Sequence, residues 1–436
     1  MDIIIEGGKS LKGRVRVPAD KSITHRGLLF AALAEGESVI RALRPGADNV
    51  SSSKCIEALG VRVEGEEGLW HVHSPGFAGW RAPAHALDCG NSGTTMRLLS
   101  GMLAGRGLAL QLVGDESLHK RPMGRVCEPL RQLGANIHGN KVNGRELPPL
   151  HIGQGAMHDA ELTSPIASAQ VKSALLLAGV TGNCRVRVSE PYLSRDHTER
   201  MLRSMGAQIN TGADFAEYVP GATLQPLNME SPGDISSAAF MLAIGLLVPG
   251  SDIVIEGVGV NPTRTGIVDI LNYLGADVVL TATGDQGGEP VGSLRASHRA
   301  LYADDLCVHG AIIPRLVDEL VVLTAVFAAA QGRVVVRDAS DLKVKESDRI
   351  DETVKLLHAF GLEAQGTDDG FIIEGPQSPH AARVDVGGDH RLAMTAAVLA
   401  LWADGTSVLE NFEIADVSYP GFVNDLNALG AAVRVV

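Results

Sequence analysis

Four short stretches place charged and hydroxyl side chains where they could bind anions and move protons. Between Val17 and Phe30 the chain reads VPADKSITHRGLLF, with Lys21, Ser22, Thr24 and Arg26 crowded into the start of a buried helix expected over 23–33. Free backbone N–H groups and the positive end of a helix dipole favour an anion there, and Lys21 and Arg26 add two cations. In IPRLVDEL (313–320), Asp318 and Glu319 open the apolar run LVVLTAVFAAA, where a carboxylate is costly without partners. In LKVKESDRI (342–350), Glu346 lies beside Lys345 and three residues before Arg349, a spacing that shares one face of a helix. GDHRLAM (388–394) sets His390 beside Arg391 at another apolar helix start, a pairing suited to an anion or to protonation chemistry near one. Taken singly, each stretch has a plain alternative: a helix cap, a surface ion pair, a solvated acidic face, a structural histidine.

The elements that must position these residues recur along the chain. A leucine-bearing helix end, a glycine and a strand appear as CIEALGVRVE, PLRQLGANIHG, MLRSMGAQIN, ILNYLGADVVL, LLHAFGLEAQG and DLNALGAAVRVV. The turn glycines are Gly60, Gly134, Gly206, Gly275, Gly361 and Gly430, spaced at roughly 70 to 85 residues, each where a helix C-cap needs positive φ. Before each comes a polar or glycine-rich cap and a very apolar helix. The six caps begin at DKSITHR, CGNSGTTMR, SPIASAQVKS, SPGDISSAAF, IIPRLVDELV and GGDHRLAMT. Each unit therefore reads as strand–helix–strand–helix–strand, the first helix buried and the second amphipathic.

Two domains of three units each is the economical packing, with boundaries expected at residues 14–229 for one and at 1–13 plus 230–436 for the other. The N-terminal strand DIIIEGG has no partner in the first unit and is assigned to the second domain. If the three buried helices of a domain run parallel, their N-termini share one end. Each dipole contributes only about 0.3–1 kcal/mol to a nearby anion, but several converging would make an anion trap. The cations near the caps are Lys21, Arg26, Arg97, Lys120, Arg121, Lys172, Arg195, Lys343, Lys345, Arg349 and Arg391. A dinucleotide-binding sheet is disfavoured, because no GxGxxG follows a strand.

Composition narrows the function classes. The chain has 436 residues, 45% hydrophobic and 4% aromatic, with 50 glycines and a net charge of −13. Such an acidic chain argues against a nucleic-acid or anionic-membrane surface. Its five cysteines are scattered, without a CxxC pair, so neither a disulfide framework nor a metal site is suggested. No apolar run is long enough to span a bilayer and the start lacks a signal-peptide pattern, so a cytoplasmic protein is expected.

Assembled, DKSITHR, GNSGTTMR, GDESLHKRPM (a GDxSLxxRPM pattern), SAQVKS, IPRLVDE, KVKESDR and GDHR resemble the enolpyruvyl transferase family, in the branch acting on shikimate 3-phosphate. The likeness covers essentially the whole chain. It implies a two-domain inside-out α/β barrel of βαβαββ repeats, with buried helices pointing their N-termini at an interdomain cleft. It also implies transfer of the enolpyruvyl group of phosphoenolpyruvate to the 5-hydroxyl of shikimate 3-phosphate, with no metal or organic cofactor and no nucleic-acid partner. That step lies on the route to chorismate and the aromatic amino acids, and a monomer is expected.

Carried over by position, the resemblance gives the acceptor to Lys21, Ser22, Arg26, Ser168, Gln170, Arg195, Asp318 and Lys345. It gives phosphoenolpyruvate to Lys21, Asn91, Gly93, Thr94, Arg121, Gln170, Glu346, Arg349, His390 and Arg391, and catalysis to Asp318, Glu346 and Lys21. Gly93 would leave room for a glyphosate-like analogue. Ala169 stands where a second serine is common, and Val417 stands where many members carry a lysine before Ser418-Tyr419-Pro420. Two alternatives stay open. A UDP-N-acetylglucosamine enolpyruvyl transferase would carry a cysteine near Leu118–Arg121, where this chain reads SLHKRPM. A non-catalytic repeat scaffold would have no need of Asp318 and Glu346 beside so many mixed caps.

Overall fold

The computed structural model describes residues 1–65 and 68–436. It is a mixed α/β fold holding six four-stranded sheets among the described residues. Each sheet repeats one order, in which the first strand runs parallel to the second and the second antiparallel to the third. In one of them, Ala160–Thr163 pairs parallel with Val186–Ser189, which pairs antiparallel with Phe215–Val219, followed by Gln208–Thr211. A parallel pair requires a crossover, and here the buried helix Ala169–Gly182 supplies it. All six turn glycines have positive φ, between 77° and 104°, at the helix-to-strand turns where the sequence calls for them.

The chain divides into two compact units. One comprises residues 1–18, 232–284 and 290–436, and the other residues 19–231 and 285–289. The boundary expected at 13/14 therefore falls at 18/19, because strand Lys12–Val15 pairs parallel with Asp252–Gly259 and keeps residues 14–18 with the first unit. Conversely, strand Asn228–Glu230 pairs parallel with Glu35–Arg41 and stays in the second unit, moving the boundary expected at 229/230 to 231/232. Each crossing strand thus belongs to the unit that the chain is leaving. The N-terminal strand Ile3–Glu6 takes the third place in the last sheet, between Thr406–Glu410 and Ala432–Val435.

In the unit 19–231 the buried first helices of the repeats are Lys21–Ala31, Gly93–Arg106 and Ala169–Gly182, and in the other they are Ile235–Leu247, Leu320–Ala329 and His390–Trp402. Every residue of Ile235–Leu247 is buried, as its uninterrupted apolar sequence requires. Helices Gly93–Arg106 and Ala169–Gly182 approach so closely that a Cβ on Gly101 would stand 2.0 Å from the Ala174 carbonyl oxygen. No helix of the described residues is long and apolar enough to cross a membrane.

Three local expectations are corrected. The first helix spans Lys21–Ala31 rather than 23–33, since the Asp20 carboxylate caps the Ile23 N–H at 2.9 Å and draws Lys21 and Ser22 into the first turn. Asp318 and Glu319 precede their helix, which starts at Leu320 with Glu319 in the cap position. Glu346 lies in the connection between the 3-10 turn Ser340–Val344 and helix Arg349–Ala359, whose start is capped by Asp348, not on a helix face.

Candidate active site

In the unit 19–231, side chains at the helix N-termini link the three buried helices in a closed ring. From the first helix, Arg26 donates through Nη2 to Ser173 Oγ of the third at 3.0 Å, and through Nε to Thr198 Oγ1 at 2.8 Å. His25 Nδ1 meets Ser52 Oγ at 2.8 Å, and Ser52 in turn meets Thr95 Oγ1 of the second helix at 2.7 Å. The second helix reaches the third when Arg97 Nη1 donates to Gln170 Oε1 at 2.7 Å, and Gln170 returns an Nε2–H to Thr94 Oγ1 at 3.1 Å. Three positive dipole ends are thereby held side by side, the arrangement suited to a multiply charged anion.

Around that ring the expected residues take these places. Lys21 Nζ pairs with Asp48 Oδ2 at 2.5 Å, and its carbonyl accepts from Asn49 at 3.1 Å. Burial pushes the Asp48 carboxyl up, but attraction to Lys21 outweighs it and the carboxyl lies below its ordinary range. Ser22 contributes its carbonyl, which accepts from Arg26 Nη1 at 3.0 Å. Asn91 accepts from Arg121 Nη2 at 2.7 Å and donates to Asp115 at 2.6 Å. Gly93 opens the second helix, where an added Cβ would meet Arg97 Nη1 at 2.8 Å and Arg121 Nη1 at 3.5 Å. Ser168 donates its N–H to Glu190 at 2.8 Å, and Arg195 precedes Asp196, the cap residue of helix His197–Ser204.

Charge and burial sort these groups. Arg26 is buried, and burial draws its guanidinium down to about 10, so it stays protonated at neutral pH. Burial, then the neighbouring Lys21 charge, hold His25 at about 3, so it is neutral. Lys120 forms an exposed pair with Glu116, and Lys343 lies 3.8 Å from the exposed Asp368. These two cations belong to solvated pairs and not to the cluster that the sequence suggests.

The other unit gathers its own set around Arg349, the first residue of helix Arg349–Ala359. Its Nε donates to Asp389 Oδ2 at 2.8 Å and its Nη2 to Glu346 Oε2 at 2.7 Å, and Asp318 Oδ1 lies 3.7 Å from Nη1. Lys345 Nζ stands 3.3 Å from the same Asp318 oxygen, and Arg391 Nη1 donates to the Asp318 carbonyl at 3.0 Å. Side-chain exposure separates the three carboxylates: 0% for Asp389, 14% for Asp318 and 35% for Glu346. Only the last two remain open to a ligand. Burial pushes Asp389 up, but Arg349 outweighs it and holds the carboxyl below its usual range. Burial, then Arg391 and Arg349, bring His390 to about 3, so its ring is neutral near pH 7.

Glu319, the neighbour of Asp318, is turned to another task. It is fully buried, accepts from Ser236 Oγ, and stands 3.3 Å from Arg264 Nη2. Val417 is exposed at the end of the 3-10 turn Phe412–Val417, so this position supplies no charge.

Sequence reading missed Asp48, Glu190 and Asp389. A signal existed for Asp389, since aspartate directly before an apolar helix is a preferred N-cap, and its Oδ1 accepts from Arg391 N at 2.9 Å. None existed for Asp48 or Glu190, whose partners lie 27 and 22 residues away in the chain.

A family model described as EPSP synthase (3-phosphoshikimate 1-carboxyvinyltransferase) matches residues 5–426. The 3-phosphoshikimate 1-carboxyvinyltransferase of Synechococcus sp. (strain RCC307) is 47% identical over 435 residues, covering 98% of this chain and 99% of that protein. Its counterpart in Brevibacillus brevis is 44% identical over 418 residues, covering 96% and 97%. Among solved structures, an EPSP synthase from Acinetobacter baumannii matches all of both chains with a TM-score of 0.88 and 37% identity. The enolpyruvyl transferase NikO from Streptomyces tendae, at 19% identity and a TM-score of 0.74 over 99% of this chain and 98% of that one, shares the fold.

Proposed function

The chain belongs to the EPSP synthase family and has that family's activity, 3-phosphoshikimate 1-carboxyvinyl transfer in the shikimate pathway; from this premise we propose how its own residues divide the work. The nucleotide-sugar transferase and the non-catalytic scaffold are thereby set aside. In this reading each unit is an inside-out α/β barrel of three repeats, and the helix N-termini gathered in each carry substrate-binding groups. Shikimate 3-phosphate is held by Lys21, Ser22, Arg26, Ser168, Gln170 and Arg195, and its hydroxyls by Asp318 and Lys345. Phosphoenolpyruvate is held by Lys21, Asn91, Gly93, Thr94, Arg121 and Gln170, together with Arg349, His390 and Arg391.

The methylene carbon of phosphoenolpyruvate must gain a proton before its C2 becomes electrophilic. We assign that proton to Glu346. A ligand anion competing for Arg349 would loosen the 2.7 Å ion pair and so ease protonation of Glu346. As the acceptor 5-hydroxyl attacks C2, its proton passes to Asp318, with Lys21 assisting. In the second half the new methyl group returns a proton to Glu346, the C2–O bond to phosphate breaks, and phosphate leaves with the proton that Asp318 took from the hydroxyl, which restores both carboxyl groups. Positioned proton transfers of this kind supply roughly 10²–10⁴-fold each, and the cation cluster with exclusion of water supplies much of the remainder.

The observation that carries this reading is that the buried guanidinium of Arg349 pairs with both Glu346, at 2.7 Å, and Asp318, at 3.7 Å, the two carboxylates of its cluster that keep some exposure. The test is phosphate release from phosphoenolpyruvate, with and without shikimate 3-phosphate, in the native chain and in variants at these two positions. Release that ignores the acceptor, or that survives loss of both carboxylates, would overturn it.

A further inference from the structure

Ser168 and Arg195 lie in two connections that have already left their sheet. Among the described residues, the last backbone bond between the two connections runs from the Ser164 N–H to the Ser189 carbonyl at 2.8 Å, and the Glu190 N–H then bonds the Asp214 carbonyl at 2.7 Å. Beyond that point the connections are tied by one carboxylate, Glu190, which is buried. It accepts the Ser168 N–H at 2.8 Å, the Ser194 N–H at 3.3 Å and the Ser194 hydroxyl at 2.6 Å. The Lys172 ammonium, 1% exposed, stands 3.0 Å from Glu190 and 2.9 Å from Glu199, and donates to the Ser194 carbonyl at 3.2 Å.

Two buried carboxylates around one ammonium leave a net negative charge. Arg26 balances it, since Glu199 is the chief charge attracting its guanidinium. Arg26 is also bonded to Ser173 and Thr198, the sequence neighbours of Lys172 and Glu199. Such a cluster is a poor source of net stability, because desolvation offsets most of the attraction. What it does supply is a set distance between the residue before helix Ala169–Gly182 and the residue before Arg195.

We propose that Glu190 and Lys172 are positioning residues for the acceptor, holding Ser168 and Arg195 at the separation that shikimate 3-phosphate requires. The proposal rests on the acceptor assignment given above. A misplacement on the ångström scale is enough to weaken a multipoint contact by a large factor.

The test is steady-state kinetics on the full chain carrying Glu190→Gln, Lys172→Met or Ser194→Ala. For the first two, KM for shikimate 3-phosphate should rise about ten- to a hundredfold, while KM for phosphoenolpyruvate at saturating acceptor stays within about twofold. Ser194→Ala removes one arm of the clamp without stranding a charge, so it should fold even where the others do not. It should show a smaller rise in the same constant. Arg195→Ala is the control. If it leaves the acceptor KM unchanged, the acceptor assignment itself fails. If it raises that constant while Glu190→Gln and Ser194→Ala do not, the positioning role alone is overturned. Equal losses for both substrates would also overturn it, leaving Glu190 and Lys172 as scaffold.

Discussion

Arg349 and Asp389 stand 40 residues apart in the chain, yet their side chains meet at 2.8 Å with almost no exposure to solvent. Asp389 caps helix His390–Trp402 and Arg349 opens helix Arg349–Ala359, so this pair aligns the starts of two helices that carry proposed ligand groups. Removing one member of a buried pair leaves the other charge uncompensated. Asp389→Ala should therefore lower stability by about 3–5 kcal/mol in denaturant unfolding. A loss below about 1 kcal/mol would show that Glu346 and Asp318 suffice to neutralise Arg349.

Glu346→Gln keeps the shape of the side chain and removes its proton. Turnover should fall by roughly 10²–10⁴-fold. Calorimetric titration should still detect shikimate 3-phosphate binding, because Glu346 is assigned to the other substrate. Near-normal phosphate release would end the acid assignment.

Asp318→Asn should slow turnover and alter the pH–rate profile, since the group taking the hydroxyl proton is lost. The carbonyl that Arg391 uses is backbone and survives the substitution, so the local fold should hold. An unchanged profile would exclude Asp318 as the base.

Lys21 and Arg26 divide the first cap between them. Lys21 is part-exposed and paired with Asp48, whereas Arg26 is buried against Ser173 and Thr198. Lys21→Ala should damage binding of both substrates and turnover, and Arg26→Ala mainly acceptor binding. Separate KM and kcat measurements for the two variants decide this, and matching losses would remove the distinction.

His25 is held at about 3 by burial, aided by Lys21, while the unfolded chain titrates near 6.5. As pH falls below roughly 6.5, the unfolded chain takes up a proton that the folded chain refuses, so stability declines with falling pH down to the folded value. The slope from one such histidine is at most about 1.4 kcal/mol per pH unit. His390 is depressed to about the same value and adds in the same direction. Denaturant unfolding between pH 6 and pH 4.5 should show a slope that His25→Gln flattens by about one histidine's share. An unaltered slope would mean that His25 does not stay neutral in the fold.

The repeated architecture was legible because its signals are local. A turn glycine at positive φ and a helix apolar on every side are properties of a few neighbouring residues, and Gly60 and Ile235–Leu247 are what their sequences announce. The N-terminal strand was legible by elimination, having no partner in the first repeat. Helix starts were less so. Glu346 was expected on a helix face and Asp318 at the entry of a helix, and both lie before the helices, because the boundaries are set by capping bonds and by the preceding 3-10 turns. Likewise, a run of cations gives no sign of which are buried: Lys172 and Lys120 look alike in sequence, yet one joins two buried carboxylates and the other meets Glu116 in solvent.

Residue identity and order were enough for the family, the activity, the six-fold repeat and the list of charged groups at the caps. The tertiary structure alone decided how those charges are shared. Lys21 rests on Asp48, Ser168 on Glu190, and Arg349 on the distant Asp318 and Asp389 as well as on its sequence neighbour Glu346. A buried charge must find its partner wherever the fold brings one, and packing, not chain order, fixes that distance.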